Sequence, residues 1–146
     1  MSGVMSEYFK LLSEENKPHY LKKLTLPNGY KINDPCAIKE RYWSDDVLLL
    51  PDIQSLDMYH YLINTPSEFT HESLKAYKSL EAYNFFVCGH VHDIFIHKVV
   101  DAEFIILKSM VLPSQRQGQK EVLYEVWCIV HQTGWIHSRN CTCMAG

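Results

Sequence analysis

The pattern of hydrophobic and polar positions changes near Gly89. Before it, apolar residues recur at helical spacing in short segments separated by proline and turn signals. After it, β-branched and aromatic residues alternate with polar ones, which is typical of half-buried strands. The sequence therefore predicts an α+β fold, with short helices in the N-terminal half packed on a C-terminal antiparallel β-meander.

The first part of the chain is expected to be the least firmly packed. Residues 6–24 are polar with a weak helical pattern broken by Pro18, which favours one or two short helices of modest stability. We therefore predict a weakly ordered helical arm over residues 1–26. Residues 27–146 are then expected to form a single α+β domain.

Two further helices are predicted before the strands begin. Ser55 suits the N-cap of a helix over residues 56–63, and Pro66 follows as a stop. A stripe of apolar residues on one helical face predicts the second helix over residues 71–83.

Four antiparallel strands are expected from His90 onward, and the last two form a hairpin. The two middle strands are predicted over residues 104–112 and 122–131. The last turn is expected to be a three-residue loop, because a two-residue loop would mix the two faces of the hairpin. The resulting register pairs Val130 with Ile136, Ile129 with His137, Trp127 with Arg139 and Glu125 with Cys141.

Composition limits the function classes without choosing one. The 146 residues suit one domain, and a net charge of -3 supplies no strong field for polyanions or a membrane surface. The N-terminus has no charged and apolar signal segment, and no apolar run approaches the roughly 18 residues of a membrane span. We expect an intracellular protein, nuclear or cytoplasmic, with no membrane partner and no evident small-molecule substrate.

The five cysteines divide into two kinds. Cys36, Cys88 and Cys128 stand singly among apolar neighbours, as buried free thiols do in a reducing compartment. Cys141 and Cys143 instead lie one residue apart at the end of the last predicted strand. Two thiolates so placed can turn toward one ion, and structural zinc takes four Cys or His ligands. The pair is therefore expected to be half of a zinc site.

This C-terminal hairpin resembles the first half of a SWIM zinc finger. The matching features are the strand over residues 124–130, a glycine turn, a second strand and then Cys141-Thr142-Cys143-Met144-Ala145-Gly146. The family pattern is C-x-C, a spacer and then C-x-H. The resemblance implies zinc as cofactor, with Cys141 and Cys143 as ligands, and an interaction with DNA or protein.

Upstream segments resemble the region before such fingers in animal proteins, some of which carry a YqaJ-type viral recombinase domain further on. The resemblance covers roughly residues 27–146, with its upstream matches at 33–35, 50–62, 74–86 and 112–116. The C-x-H half is missing, so the zinc site is incomplete in this chain and a C-x-H is expected shortly after Gly146. The nuclease domain would also lie beyond that residue, so none of its catalytic residues transfers.

We therefore expect a non-catalytic interaction module, zinc-associated in its complete form, that binds DNA or protein. The alternative is a truncated or degenerate metal-free protein-interaction fold. A third possibility is part of a nucleic-acid-processing enzyme whose catalytic domain is absent. No phosphate loop or catalytic motif occurs in the sequence, which favours the non-enzymatic interpretations.

Three other residue sets are weaker candidates for chemistry. A histidine set could bind metal, but His97 would lie on the opposite strand face from His90 and His92. An acidic set could gather around a divalent ion, although a solvated loop is the simpler interpretation; its members are Asp45, Asp46, Asp52 and Asp57. A basic rim with tryptophans could stack on bases; its members are Lys108, Arg116, Lys120, Arg139, Trp127 and Trp135.

Overall fold

The structure, a computed structural model, describes residues 3–64, 89, 91–100, 102–112 and 123–143. For Ser55, Tyr59 and 62–64 it describes the backbone only. The helix predicted over 71–83 lies outside the described residues. Four of the candidate side chains also lie outside them, namely Cys88, His90, Arg116 and Lys120.

The described residues form short helices followed by one antiparallel sheet, so the predicted α+β layout is confirmed. The helices are α1 (Glu7–Leu11), α2 (Asn16–Lys23) and α3 (Ser55–Asn64), with three short 3-10 turns between α2 and α3. The strands are β1 (Phe95–Lys98), β2 (Phe104–Val111), β3 (Tyr124–His131) and β4 (Ile136–Cys141). They pair in chain order, β1-β2-β3-β4.

Local sequence signals explain where the helices begin. The Ser6 hydroxyl accepts a hydrogen bond from the Phe9 N–H at 3.2 Å, which caps α1. Pro18 is the third residue of α2, where its missing N–H would have no intrahelical partner in any case. Short helices form in this segment as predicted, but the break lies at residues 12–15 and not at the predicted Pro18. The helix predicted over 56–63 is α3 with one more residue at each end.

The core lies between one face of the sheet and the N-terminal segment. Paired residues share a face, so Phe104, Ile106, Ile129 and Trp127 all point to the same side. Side chains from the N-terminal segment join them in one buried cluster, namely Tyr20, Leu24, Leu26 and Ile32. The predicted arm of residues 1–26 therefore shares its core with the sheet, because Tyr20 packs edge-on against Trp127 and the leucines of the arm join the same buried cluster. The division at residue 26 stays a prediction.

The predicted register of the last hairpin is partly wrong. The three-residue loop and the pairing of Val130 with Ile136 are confirmed. A β-bulge follows, so Ile129 pairs with Ser138 and not with His137. Beyond the bulge every predicted partner is off by one: Trp127 pairs with Asn140, Cys128 with Arg139 and Val126 with Cys141. Hydrophobic alternation could not reveal the extra residue, since β4 is polar on both faces.

The bulge reverses which β4 side chains face the core. Ser138 and Asn140 turn inward and are buried, whereas Arg139 and Cys141 turn to the other side. The Ser138 hydroxyl donates to the Lys23 carbonyl at 2.7 Å, and the His137 Nε2–H donates to the Thr25 carbonyl at 2.9 Å. The end of α2 therefore covers the inner face of β4.

Gly134 makes the hairpin loop possible. Its φ of 112° is in the left-handed region that favours glycine. A side chain there would also overlap the Asp52 carbonyl just before α3. The loop is therefore closely packed against the chain that enters α3.

In the part of the chain that the structure describes, no helix combines the length and the apolar character needed to cross a membrane.

Candidate metal-binding site at the end of strand β4

Cys141 and Cys143 share one tight turn at the end of β4. The Cys143 N–H donates to the Cys141 Sγ at 3.3 Å. Thr142, between them, anchors the turn to β3, because its N–H donates to the Glu125 carbonyl and its hydroxyl accepts from the Glu125 N–H, each at 3.0 Å. The turn is therefore fixed to β3 by one backbone hydrogen bond and by one bond to the Thr142 hydroxyl.

A chain of side-chain hydrogen bonds holds the end of β4 immediately before the turn. Asn140 is only 2% exposed, and its Oδ1 accepts from Lys23 Nζ at 2.8 Å. Its Nδ2 donates to the Tyr8 hydroxyl at 3.4 Å, and that hydroxyl donates to the Cys141 carbonyl, also at 3.4 Å. Both N-terminal helices therefore hold the strand end from which the thiols project.

Burial and charge act on the Cys141 thiol in opposite directions. Burial, reinforced by the hydrogen bond with the Cys143 thiol, raises the pKa of Cys141 to about 11, while the nearby Arg139 charge opposes the rise. Burial and the charge of Arg139 lower the pKa of Lys23, and Cys141 opposes that decrease. Two cations thus lie within electrostatic range of Cys141. The thiol is protonated at neutral pH, so a metal would have to displace its proton.

The donor set fits two of the four positions of a structural zinc site. Among the residues that the structure describes, no group of three or more His, Cys, Asp or Glu side chains could hold a metal ion. His137, four residues before Cys141, bonds the Thr25 carbonyl instead. The bulge places Cys128 on the same face as Cys141, but as a diagonal neighbour, which is about 7–8 Å away. That thiol is free, and burial raises its pKa to about 12.

The other metal candidates do not gather in the described residues. His97 Nδ1 lies 2.9 Å from the Tyr42 carbonyl, and His92 is exposed five residues away. Asp46 caps a 3-10 turn by accepting from the Leu48 N–H, and Asp57 accepts from the Gln54 N–H before α3. His97, Asp46 and Asp57 therefore have local structural roles.

The proposed basic and aromatic rim is divided between the core and the surface. Trp127 is 1% exposed, so it belongs to the core and has no face open for a base. Trp135 is 39% exposed and stacks on His131 with ring centroids 5.1 Å apart. Lys108 lies over the Trp43 ring at 4.3 Å and pairs with Glu125 at 3.5 Å. The described members do not form a continuous surface.

The most highly connected carboxylate was not expected from the sequence. Asp34 is 1% exposed and accepts four hydrogen bonds, from the Ser6 N–H and hydroxyl, the Tyr20 hydroxyl and the Cys36 N–H. The only sequence signal is an aspartate before Pro35, which suits the cap of the 3-10 turn that begins there. Burial of Tyr20 and its bond to Asp34 raise the pKa of that phenol.

No protein-family model matches the chain, and neither a curated protein nor a solved structure shows significant similarity to it. The resemblance to SWIM fingers therefore rests on the residues that carry it, and the interpretation of Cys141 and Cys143 rests on the turn that holds them.

Proposed function

We propose that this chain is a non-catalytic interaction module whose C-terminal hairpin supplies two ligands, Cys141 and Cys143, to a SWIM-like zinc site. The remaining ligands would come from outside the described residues, and the complete module would bind DNA or protein. The observation that carries the proposal is the turn in which the Cys143 N–H donates to the Cys141 Sγ at 3.3 Å.

That hydrogen bond supports the proposal for a chemical reason. A thiolate ligand carries negative charge, and an N–H donor directed at the sulfur stabilises the charge and fixes the direction of its lone pairs. Lys23 and Arg139 add positive charge near Cys141. The surroundings therefore compensate part of the thiolate charge when a cation displaces the thiol proton.

A metal-free protein-interaction fold is the second candidate. It is favoured by the absence of a three-ligand group in the described residues. Two thiolates alone do not hold structural zinc with normal strength. On this alternative the two cysteines would be ordinary thiols at the end of a finished sheet.

Titration of the reduced protein with Co²⁺, a spectroscopic substitute for zinc, separates the two candidates. Because this chain supplies only two of the four ligands, we expect a thiolate-to-cobalt charge-transfer band that requires a high Co²⁺ concentration and that zinc abolishes by competition. Cys143→Ser should weaken the band strongly, because one of the two thiolates is lost. The matched control is Cys128→Ala, which removes a thiol from the same sheet face but not from the turn. No band in the wild type, or a band unchanged in Cys143→Ser, would contradict the zinc proposal.

A separate measurement distinguishes DNA from protein as the partner of the module. The salt dependence of DNA binding follows the number of phosphates that Lys and Arg neutralise, so the few cations of this chain predict that any DNA affinity depends only weakly on salt. We therefore propose measuring duplex DNA binding at two salt concentrations with zinc present. Retention of protein partners without any DNA affinity would assign the module to proteins.

A further inference from the structure

A cavity of about 600 Å³ opens beside β1 and β2, and neither cysteine of the C-terminal turn lines it. Its apolar lining comes from the core side of the fold, and includes Ile32, Ile38, Val99 and Ile106. Ile106 and Ile32 belong to the buried cluster, so this wall is part of the packed core. Ligand cavities in proteins commonly measure 300–1,000 Å³ and combine such an apolar lining with a few polar groups.

The polar groups of this cavity are aromatic and basic. Tyr30 is 45% exposed and Tyr42 is 54% exposed, and both line the opening together with Lys39 and Arg41. The Arg41 guanidinium lies 4.9 Å from the centre of the Tyr42 ring and donates to its hydroxyl at 3.0 Å. The guanidinium therefore already lies over one face of the Tyr42 ring, so a base would stack on the opposite face.

The charge at the opening is not neutralised within the described part of the chain. Lys39 and Arg41 make no ion pair with any residue that the structure describes. The carboxylate among the lining residues is Asp34, which is buried and already accepts four hydrogen bonds. Glu40, between the two cations in sequence, is not among the lining residues. The cavity therefore presents net positive charge to a ligand.

Local contacts keep Tyr42 in place. The His97 Nδ1–H donates to the Tyr42 carbonyl at 2.9 Å, and the same ring packs against Trp43 with ring centroids 5.6 Å apart. The neighbouring Ser44 is hydrogen-bonded to β1 through Ile96 in both directions, at 2.7 and 2.8 Å. The aromatic side of the cavity is thus fixed to the edge of the sheet.

We propose that this cavity binds one nucleotide unit, with the base against Tyr42 and the apolar wall and the phosphate on Arg41 and Lys39. Stacking of a base on an aromatic ring is independent of base identity, and a guanidinium matches the geometry of a phosphate. The unit can belong to a single-stranded nucleic acid or to a free nucleotide. This site is separate from the proposed zinc site and does not depend on it.

The test is fluorescence anisotropy of a labelled oligothymidylate, with free thymidine monophosphate as competitor. Arg41→Ala and Tyr42→Ala should each weaken binding about tenfold, because a stacked base or a phosphate contact is lost. One neutralised phosphate predicts a salt slope of about −0.7 for a single strand. Lys22→Ala is the matched control, since Lys22 is an exposed cation on α2 outside this cavity. Both altered side chains are exposed, and thermal unfolding checks that each variant is folded.

The two probes also identify the source of the nucleotide. Binding of the oligonucleotide with poor competition by the monophosphate supports a strand, and equal competition supports a free nucleotide. The proposal is overturned if neither probe binds, if Arg41→Ala and Tyr42→Ala bind as the wild type does, or if Lys22→Ala weakens binding as much as they do.

Discussion

Asp34 and the Cys141–Cys143 turn are two polar sites of opposite character, the first fully buried and the second at the end of β4. The Asp34 carboxylate is 1% exposed, and four donors from three residues surround it. The two thiols are half-buried, and the Cys141 Sγ accepts a hydrogen bond from the Cys143 N–H within the same turn. One site is chemically complete without a ligand, and the other is not.

The difference is the one expected between a structural role for Asp34 and the binding role that we propose for the two thiols. A buried carboxylate with all its acceptor positions used stabilises the fold but has no capacity left for a ligand. A thiol pair on a well-anchored turn adds little to folding, yet it retains the sulfur lone pairs that a metal needs. Substitutions should therefore affect unfolding at the first site and metal binding at the second.

The largest effect is expected for Asp34→Ala. At least two buried donors, the Ser6 and Tyr20 hydroxyls, lose their acceptor, and each unsatisfied group costs about 1–3 kcal/mol. We predict a loss of about 3 kcal/mol in the free energy of unfolding, measured by urea denaturation. The control is Asp45→Ala at an exposed position, with a change within about 0.5 kcal/mol. Equal effects of the two substitutions would contradict the structural role of Asp34.

Asn140→Ala should have the next largest effect, about 1–3 kcal/mol, because the bond to Lys23 is lost beside a buried strand. Arg139→Ala, at the adjacent exposed position, should change the free energy of unfolding by less than about 0.5 kcal/mol. The pair tests the β-bulge directly. Without the bulge, Arg139 would face Trp127 and the order of the two effects would be reversed.

A smaller, pH-dependent effect is expected from His137, the extra residue of the bulge. Burial lowers the pKa of this imidazole. As the pH falls below the unfolded value of about 6.5, the unfolded chain binds a proton that the folded protein resists, so stability decreases. His137→Gln should flatten this acid-side decrease in urea denaturation measured across that range. His92→Gln, at an exposed histidine, should retain it; an unchanged slope in His137→Gln would contradict the burial argument.

The smallest effect on folding is expected for Cys143→Ser. The bond to Cys141 comes from the backbone N–H of residue 143, so serine keeps it, and the side chain is half-buried. We predict a change within about 0.5 kcal/mol in metal-free buffer containing a reductant. A much larger loss of stability would show that the thiol is a structural group, as Asp34 is.

The sequence predicted the order of helices and strands better than it predicted which side chains of a strand face the core. Helical spacing and strand alternation located α3 and β2, because those signals are local. The bulge at His137 and the burial of Asp34 depend on contacts with residues more than 25 positions away in the chain. Alternation carries no information about an inserted residue in a strand that is polar on both sides.

The cysteine pair shows the same limit at the candidate site. Its spacing and its position at a strand end could be predicted, since β4 and the glycine turn are local features. The sheet face from which Cys141 projects could not be predicted, because the bulge changes its partner on β3 from Glu125 to Val126. That shift also brings Cys128 to the same face, which the sequence alone did not indicate.

The most direct test of the zinc proposal is zinc X-ray absorption on the reduced, zinc-loaded protein and on the double variant Cys141→Ser, Cys143→Ser. The proposal predicts at least two sulfur ligands at about 2.3 Å in the wild type and their loss in the double variant. A zinc ion bound only through nitrogen and oxygen, or a sulfur signal that persists in the double variant, would contradict it.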